Sequence, residues 1–111
     1  MKKVTYDLSQ IIEMSDNDPD FIKLMVDTFI EEMPVDLDYL ALAIKEEDRE
    51  NVHRYAHKIK PSLELFGLQG HLNAVVLESW GKGDETKDIN KNFKFLYQEL
   101  QETLIQLKRD F

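Results

Sequence analysis

The chain contains no cysteine. That excludes a disulfide framework, a thiolate metal site and a cysteine nucleophile, and it is compatible with a reducing compartment. It also lacks any apolar run near the roughly eighteen residues of a membrane span. Lys2 and Lys3 resemble the start of a secretory signal, but Thr5, Asp7, Ser9 and Gln10 interrupt the stretch behind them. A soluble, cytoplasmic chain without membrane contact is therefore expected. Basic charge is scarce as well: 14 Lys and Arg against 22 Asp and Glu give a formal net charge of -8. Nucleic acid is excluded as a partner, because phosphate binding needs a basic field that releases counterions. No G-x-S-x-G, P-loop, H-E-x-x-H or glycine-rich nucleotide fingerprint occurs, so the sequence does not read as an enzyme.

Strand alternation, internal repeats and low-complexity tracts are absent too, and helical periodicity fills the space. The 111 residues suit one domain spanning 1–111 with a single core. A short first helix is expected over Asp7 to Met14, with Leu8, Ile11 and Ile12 on one side. Pro19, after the capping residues Ser15 to Asp18, opens a second helix. Phe21, Leu24, Met25 and Phe29 carry it to Met33, where Pro34 predicts a break or bend. Leu37, Leu40, Ala41 and Ile44 form the buried side of a third segment from Val35 to Lys45. Asp48 is placed to cap a helix from Arg49 to Phe66, and another runs from Leu68 or His71 to Trp80. The last spans about Asp88 to Arg109, with Ile89, Phe93, Leu96, Leu100, Leu104, Leu107 and Phe111 at steps of four and three. Trp80, Phe93, Phe95 and Tyr97 read as core or helix-end packing. This seam is expected to pack within one chain, giving a monomeric, all-α, antiparallel four-helix bundle with a short additional N-terminal helix as a lid.

The segment Ala56 to Gly67, AHKIKPSLELFG, carries most of the functional information. Val52, Tyr55, Ala56, Ile59, Leu63 and Phe66 form its buried stripe, and Gly67 stands where a left-handed cap is wanted. His53, His57, Lys60 and Glu64 form a second stripe, in which helical neighbours lie about 5 to 6 Å apart at Cβ. That ridge is expected to face solvent. Between Asp27 and Glu50 nine acids face only Lys45 and Arg49, after which Arg54, Lys58 and Lys60 surround His57. A basic island on an acidic chain suits an acidic partner or a phosphoryl group.

Ala56, His57 and Lys60, small residues after the lysine, and Gly67 ten positions past the histidine resemble the signature of the histidine-containing phosphotransfer (HPt) domain of bacterial two-component phosphorelays. The acidic turn before this helix and the helices after it fit the same family over nearly the whole chain. The resemblance implies that His57 accepts a phosphoryl group from the phospho-aspartate of a receiver domain and passes it to another receiver's aspartate. It implies Nε2 as the nucleophilic atom and charge compensation by Lys60. Two unit charges at 4 Å are worth about 1 kcal/mol in water and about 4 at an effective dielectric of 20, so Lys60 tunes the reaction more than it drives it. Partner contacts are expected at His53, Arg54, Lys58, Pro61, Glu64 and Gly67, with Phe66, Leu68 or apolar residues near the first helix adding to them. The partners implied are response-regulator receiver domains, those of hybrid histidine kinases included. No cofactor is expected on this chain, the Mg²⁺ belonging to the receiver.

The family usually has glycine where this chain has Pro61. Proline leaves the His57 carbonyl without its helical donor and crowds it, at a cost of about 3 kcal/mol in a regular helix. A bend toward the buried side is expected, eased by a Ser62 hydrogen bond back to Lys58. Pro61 is also the best support for a competing reading, a helical interaction module that docks receivers or kinases without carrying phosphate. His53 and His57 form an H-x3-H pair able to chelate a metal, but no third ligand is evident, so no metal site is assigned.

Overall fold

The computed structural model describes residues 4–84 and 88–111; Lys2 and Lys3 lie outside them. Among the described residues there are five helices and no strands: α1 (Ser9–Met14), α2 (Pro19–Lys45), α3 (Arg49–Leu65), α4 (Gly70–Gly81) and α5 (Ile89–Asp110). Local chemistry starts them where side chains can replace missing backbone acceptors. Asp18 accepts from the Asp20 N–H with Pro19 in the first helical turn, Asp48 from the Asn51 N–H, and Asp88 from Asn90 and Lys91.

The expected break at Pro34 does not occur. α2 runs unbroken for 27 residues, joining what the proline rule had separated. Ile22, Val26, Phe29, Met33, Leu37, Leu40 and Ile44 are all buried and fall on one stripe at steps of three and four. Pro34 lies beside that stripe and removes one helical bond, at about 3 kcal/mol. Burying each large apolar side chain returns about 1.5 to 3 kcal/mol, and four of them lie at or beyond Met33. Packing therefore outweighs the local defect.

α2 packs on α3 and α5, and α4 on the same two, so α2 to α5 close into a four-helix ring. The pairs Asp36–Lys58 and Tyr39–Tyr55 run in opposite sequence directions, as an antiparallel arrangement requires. One apolar cluster fills the centre, including Val26, Leu37, Leu40, Val52, Ala56, Ile59, Leu63, Leu77, Leu96 and Leu100. α1 contributes Ile11, which is fully buried, but Ile12 faces solvent and does not share that side. Phe95 and Tyr97, expected as core or helix-end packing, are likewise exposed within α5, and Phe111 is exposed too. α5 instead buries Thr103 and Gln106. The Thr5 N–H donates to Gln106 Oε1 at 2.8 Å, and the Tyr6 hydroxyl donates to the Asp110 carboxylate. The segment before α1 is thus laid along the last turns of α5.

α3 ends as its glycine requires. Gly67 adopts φ 67°; the Leu68 N–H bonds the Leu63 carbonyl at 2.9 Å and the Gly67 N–H the Glu64 carbonyl at 3.0 Å. This pair of bonds satisfies carbonyls that the helix end leaves open. Phe66 and Leu68 are both 1% exposed, so they belong to the core and not to a docking surface.

Candidate functional site

His57 lies in the middle of α3, with two thirds of its side chain exposed (66%). Its Nδ1 points at Glu78 Oε1 of α4, 3.3 Å away. A carboxylate accepts only, so Nδ1 carries the proton and donates, which leaves Nε2 with a free lone pair. Lys60 Nζ stands 3.1 Å from the other oxygen of the same carboxylate, Oε2. His57 and Lys60 therefore share one acidic partner. Burial alone pushes the Glu78 carboxyl up; the neighbouring Lys60 and His57 outweigh it and hold it below its ordinary value.

His53 stacks beside His57, ring centroids 6.0 Å apart and 18° from parallel, and its Nδ1 lies 3.3 Å from the Glu78 backbone carbonyl. No group of three or more His, Asp or Glu residues able to hold a metal ion occurs among the described residues. His53 and Lys60 are half-buried under α4, so the ridge expected to face solvent is open at His57 and Glu64 and roofed at the other two positions.

The basic island is divided. Lys58 Nζ reaches across to α2, 2.8 Å from Asp36 Oδ1, and that hydrogen bond and charge raise the Lys58 pKa above its ordinary value. Lys60 is committed to α4, and Arg54 is exposed with Pro61 and Glu64 on the outer face of α3. α3 continues through Pro61, and no Ser62 bond to Lys58 occurs among the described residues. Ser62 instead lines a groove between α2 and α3, with Met25, Thr28, Glu32 and Leu65. Gly67 is exposed at the end of the helix beside Asp7.

Glu78 is the residue that sequence reasoning missed. It is the one carboxylate in α4, among Val75, Val76, Leu77 and Trp80. A lone carboxylate in an apolar helix is the signal that could have found it, since a charge buried there needs a partner.

A helical bundle that displays an imidazole, a carboxylate and an ammonium group side by side on its surface has the form of a histidine-bearing carrier module. The sequence model of the family described as Hpt domain matches residues 24–110, and the chain belongs to that family. Hpt domains are phosphotransfer modules of phosphorelays, where they interact with receiver domains. No curated protein and no solved structure matches the chain. No helix among the described residues is long and apolar enough to cross a membrane.

Proposed function

We propose that residues 1–111 act as one phosphorelay unit in which His57 takes a phosphoryl group from a receiver phospho-aspartate and delivers it to a second receiver. The observation that carries this reading is the exposed His57 ring with its Nδ1–H turned onto Glu78. Nε2 attacks phosphorus, the N–P bond forms as the acyl P–O bond breaks, and the aspartate carboxylate leaves. The positive charge left on the ring is offset by Glu78 through Nδ1–H. Lys60, which shares the Glu78 carboxylate with His57, supplies charge compensation for the phosphoryl group. Such a transition state is loose and in line, and it asks for positioning and electrostatics more than for an enclosed pocket. We assign Mg²⁺ to the receiver, because the carboxylate nearest His57 is spent on Nδ1 and Lys60. Arg54, Pro61 and Glu64 on the open face of α3, with His53, Lys58 and Gly67 at its margins, form the partner surface of this reading.

The test is incubation with a phosphorylated receiver. The expected product is acid-labile, alkali-stable label on the wild-type chain and none on His57→Gln. Label that survives in His57→Gln would move the acceptor elsewhere. Receiver binding with no label on the wild-type chain would leave a docking module without phosphate chemistry.

A further inference from the structure

Glu78 can serve His57 and Lys60 together only if α4 is held at one height and one distance against α3, and the structure contains a contact built for that. Gly81 lies one turn beyond Glu78 and has no room for a side chain. A Cβ there would stand 2.5 Å from His53 Cβ, 2.6 Å from the His53 backbone nitrogen and 2.7 Å from the Arg49 carbonyl oxygen. Two of those three atoms are backbone, so no rotamer change relieves the clash. Arg49 closes the contact from the other side: its guanidinium lies over the Trp80 ring, 4.2 Å from the centroid, and donates to the Trp80 carbonyl. His53 fills the remaining space, stacked on His57 and directed at the Glu78 carbonyl.

We infer that Arg49, His53, Trp80 and Gly81 form a clamp that fixes the register of α4 on α3, making Gly81 and Arg49 positioning residues for phosphoryl transfer at His57. None of the four touches the transferred group in this scheme. They act through Glu78, and the inference rests on the phosphotransfer reading of His57. The geometry is sensitive: ordinary Cβ contacts begin near 3.4 Å, so alanine at 81 must push the helices apart by a sizeable fraction of an ångström. The His57 contact is already long at 3.3 Å, near the outer limit for a hydrogen bond. A further shift of that size breaks it, and misplacement by about 1 Å costs up to about a hundredfold in rate.

The experiment compares Gly81→Ala and Arg49→Ala with wild type in two readouts. The first is the ¹⁵N spectrum of His57 in the unphosphorylated chain, which reports whether Nδ1 or Nε2 holds the proton and needs no phosphate. The second is the rate of phosphorylation by a phosphorylated receiver. Both variants are expected to lose the Nδ1–H preference and to slow phosphorylation, by up to about tenfold for Gly81→Ala, with helical circular dichroism retained. If Gly81→Ala does not fold, Arg49→Ala, which alters only a half-open surface contact, decides alone. An unchanged His57 spectrum in the folded variants would overturn the clamp. A wild-type chain that takes no phosphate while the spectra shift as expected would overturn the relay reading and leave the clamp standing as a structural device.

Discussion

Glu78 accepts from an imidazole and faces an ammonium group with most of its own surface covered, its side chain 13% exposed. Its two jobs are separable by substitution. Glutamine keeps an oxygen for Nδ1–H but no charge for Lys60, whereas alanine removes both. Glu78→Gln should therefore keep the Nδ1–H tautomer of His57 but slow phosphorylation, by less than alanine does, because no negative charge then offsets the ring. Glu78→Ala should lose the tautomer preference and slow by about tenfold, by analogy with the lower end of what removing the partner of a metal-bound histidine costs. Stopped-flow labelling and the His57 ¹⁵N spectrum measure the two effects. The pH dependence has a definite sign. Burial raises the Glu78 pKa and its contacts with Lys60 and His57 lower it by more, so the folded value lies below the ordinary 4.5. The charged carboxylate thus adds stability above 4.5, and that contribution disappears as pH falls through the lower folded value. Thermal melts from neutral to about pH 3 should show a shallower acid limb for Glu78→Gln than for wild type. Equal slopes would mean that the carboxylate gains nothing from its neighbours.

Helices here tolerate local defects where their buried faces compensate, and the defects can be repaired one at a time. Pro61 sits on the exposed side of α3 and denies the His57 carbonyl its donor. Pro61→Ala should restore that bond and raise stability by about 1 to 3 kcal/mol, read as a rise in the denaturation midpoint. At the end of α2, Glu47 holds φ 53° in the position that Gly67 occupies after α3, and the Asp48 N–H bonds back to the Ala43 carbonyl at 2.9 Å. A left-handed conformation costs a non-glycine residue about 1 to 2 kcal/mol. Part of that is returned as extra chain entropy in the unfolded state, so Glu47→Gly should stabilise by about 0.5 to 1 kcal/mol. The same local signals explain what could be read in advance. The stripe of α3, its Asp48 cap and its Gly67 stop follow from side-chain spacing and backbone freedom within a few residues, and they emerged from the sequence intact. Pro34 misled because its cost is local while the compensating burial of Leu37, Leu40 and Ile44 is tertiary. Glu78 stayed hidden because it meets His57 from 21 positions away, through a helix pairing that periodicity does not specify. Lys58 likewise looked like part of a basic island until α2 brought Asp36 to it.

At the scale of the whole molecule, the ring of α2 to α5 leaves the segment before α1 to find its own place, and it does so by hydrogen bonding to α5. Thr5 meets Thr103 and Gln106, both buried, and Tyr6 donates to Asp110, which Arg109 also holds. Continuing along the chain, the Asp7 N–H bonds the Phe66 carbonyl at 2.8 Å, at the end of the helix that bears His57. One short stretch thus ties the last turns of α5 to the end of α3. Tyr6 reports on that tie. Burial pushes its hydroxyl up, the hydrogen bond and charge of Asp110 add to the effect, Arg109 opposes it, and the pKa rises from 10.0 to about 12. A raised folded-state value means that the stabilisation is complete below 10.0 and is lost as pH climbs toward about 12. Asp110 is the mirror case: its bonds from Arg109 and Tyr6 hold it at about 2 instead of 3.8, so its contribution is lost only in strong acid. Ultraviolet titration should therefore show a late phenol that is absent in Tyr6→Phe and shifted back toward 10 in Asp110→Asn. The protection of the Asp7 amide, relative to its intrinsic base-catalysed exchange, should fall over the same alkaline range in the wild-type chain. A Tyr6 phenol that titrates at the ordinary 10.0 would mean that the N-terminal segment is not pinned to α5, and the link from that helix to the end of α3 would then have to be abandoned.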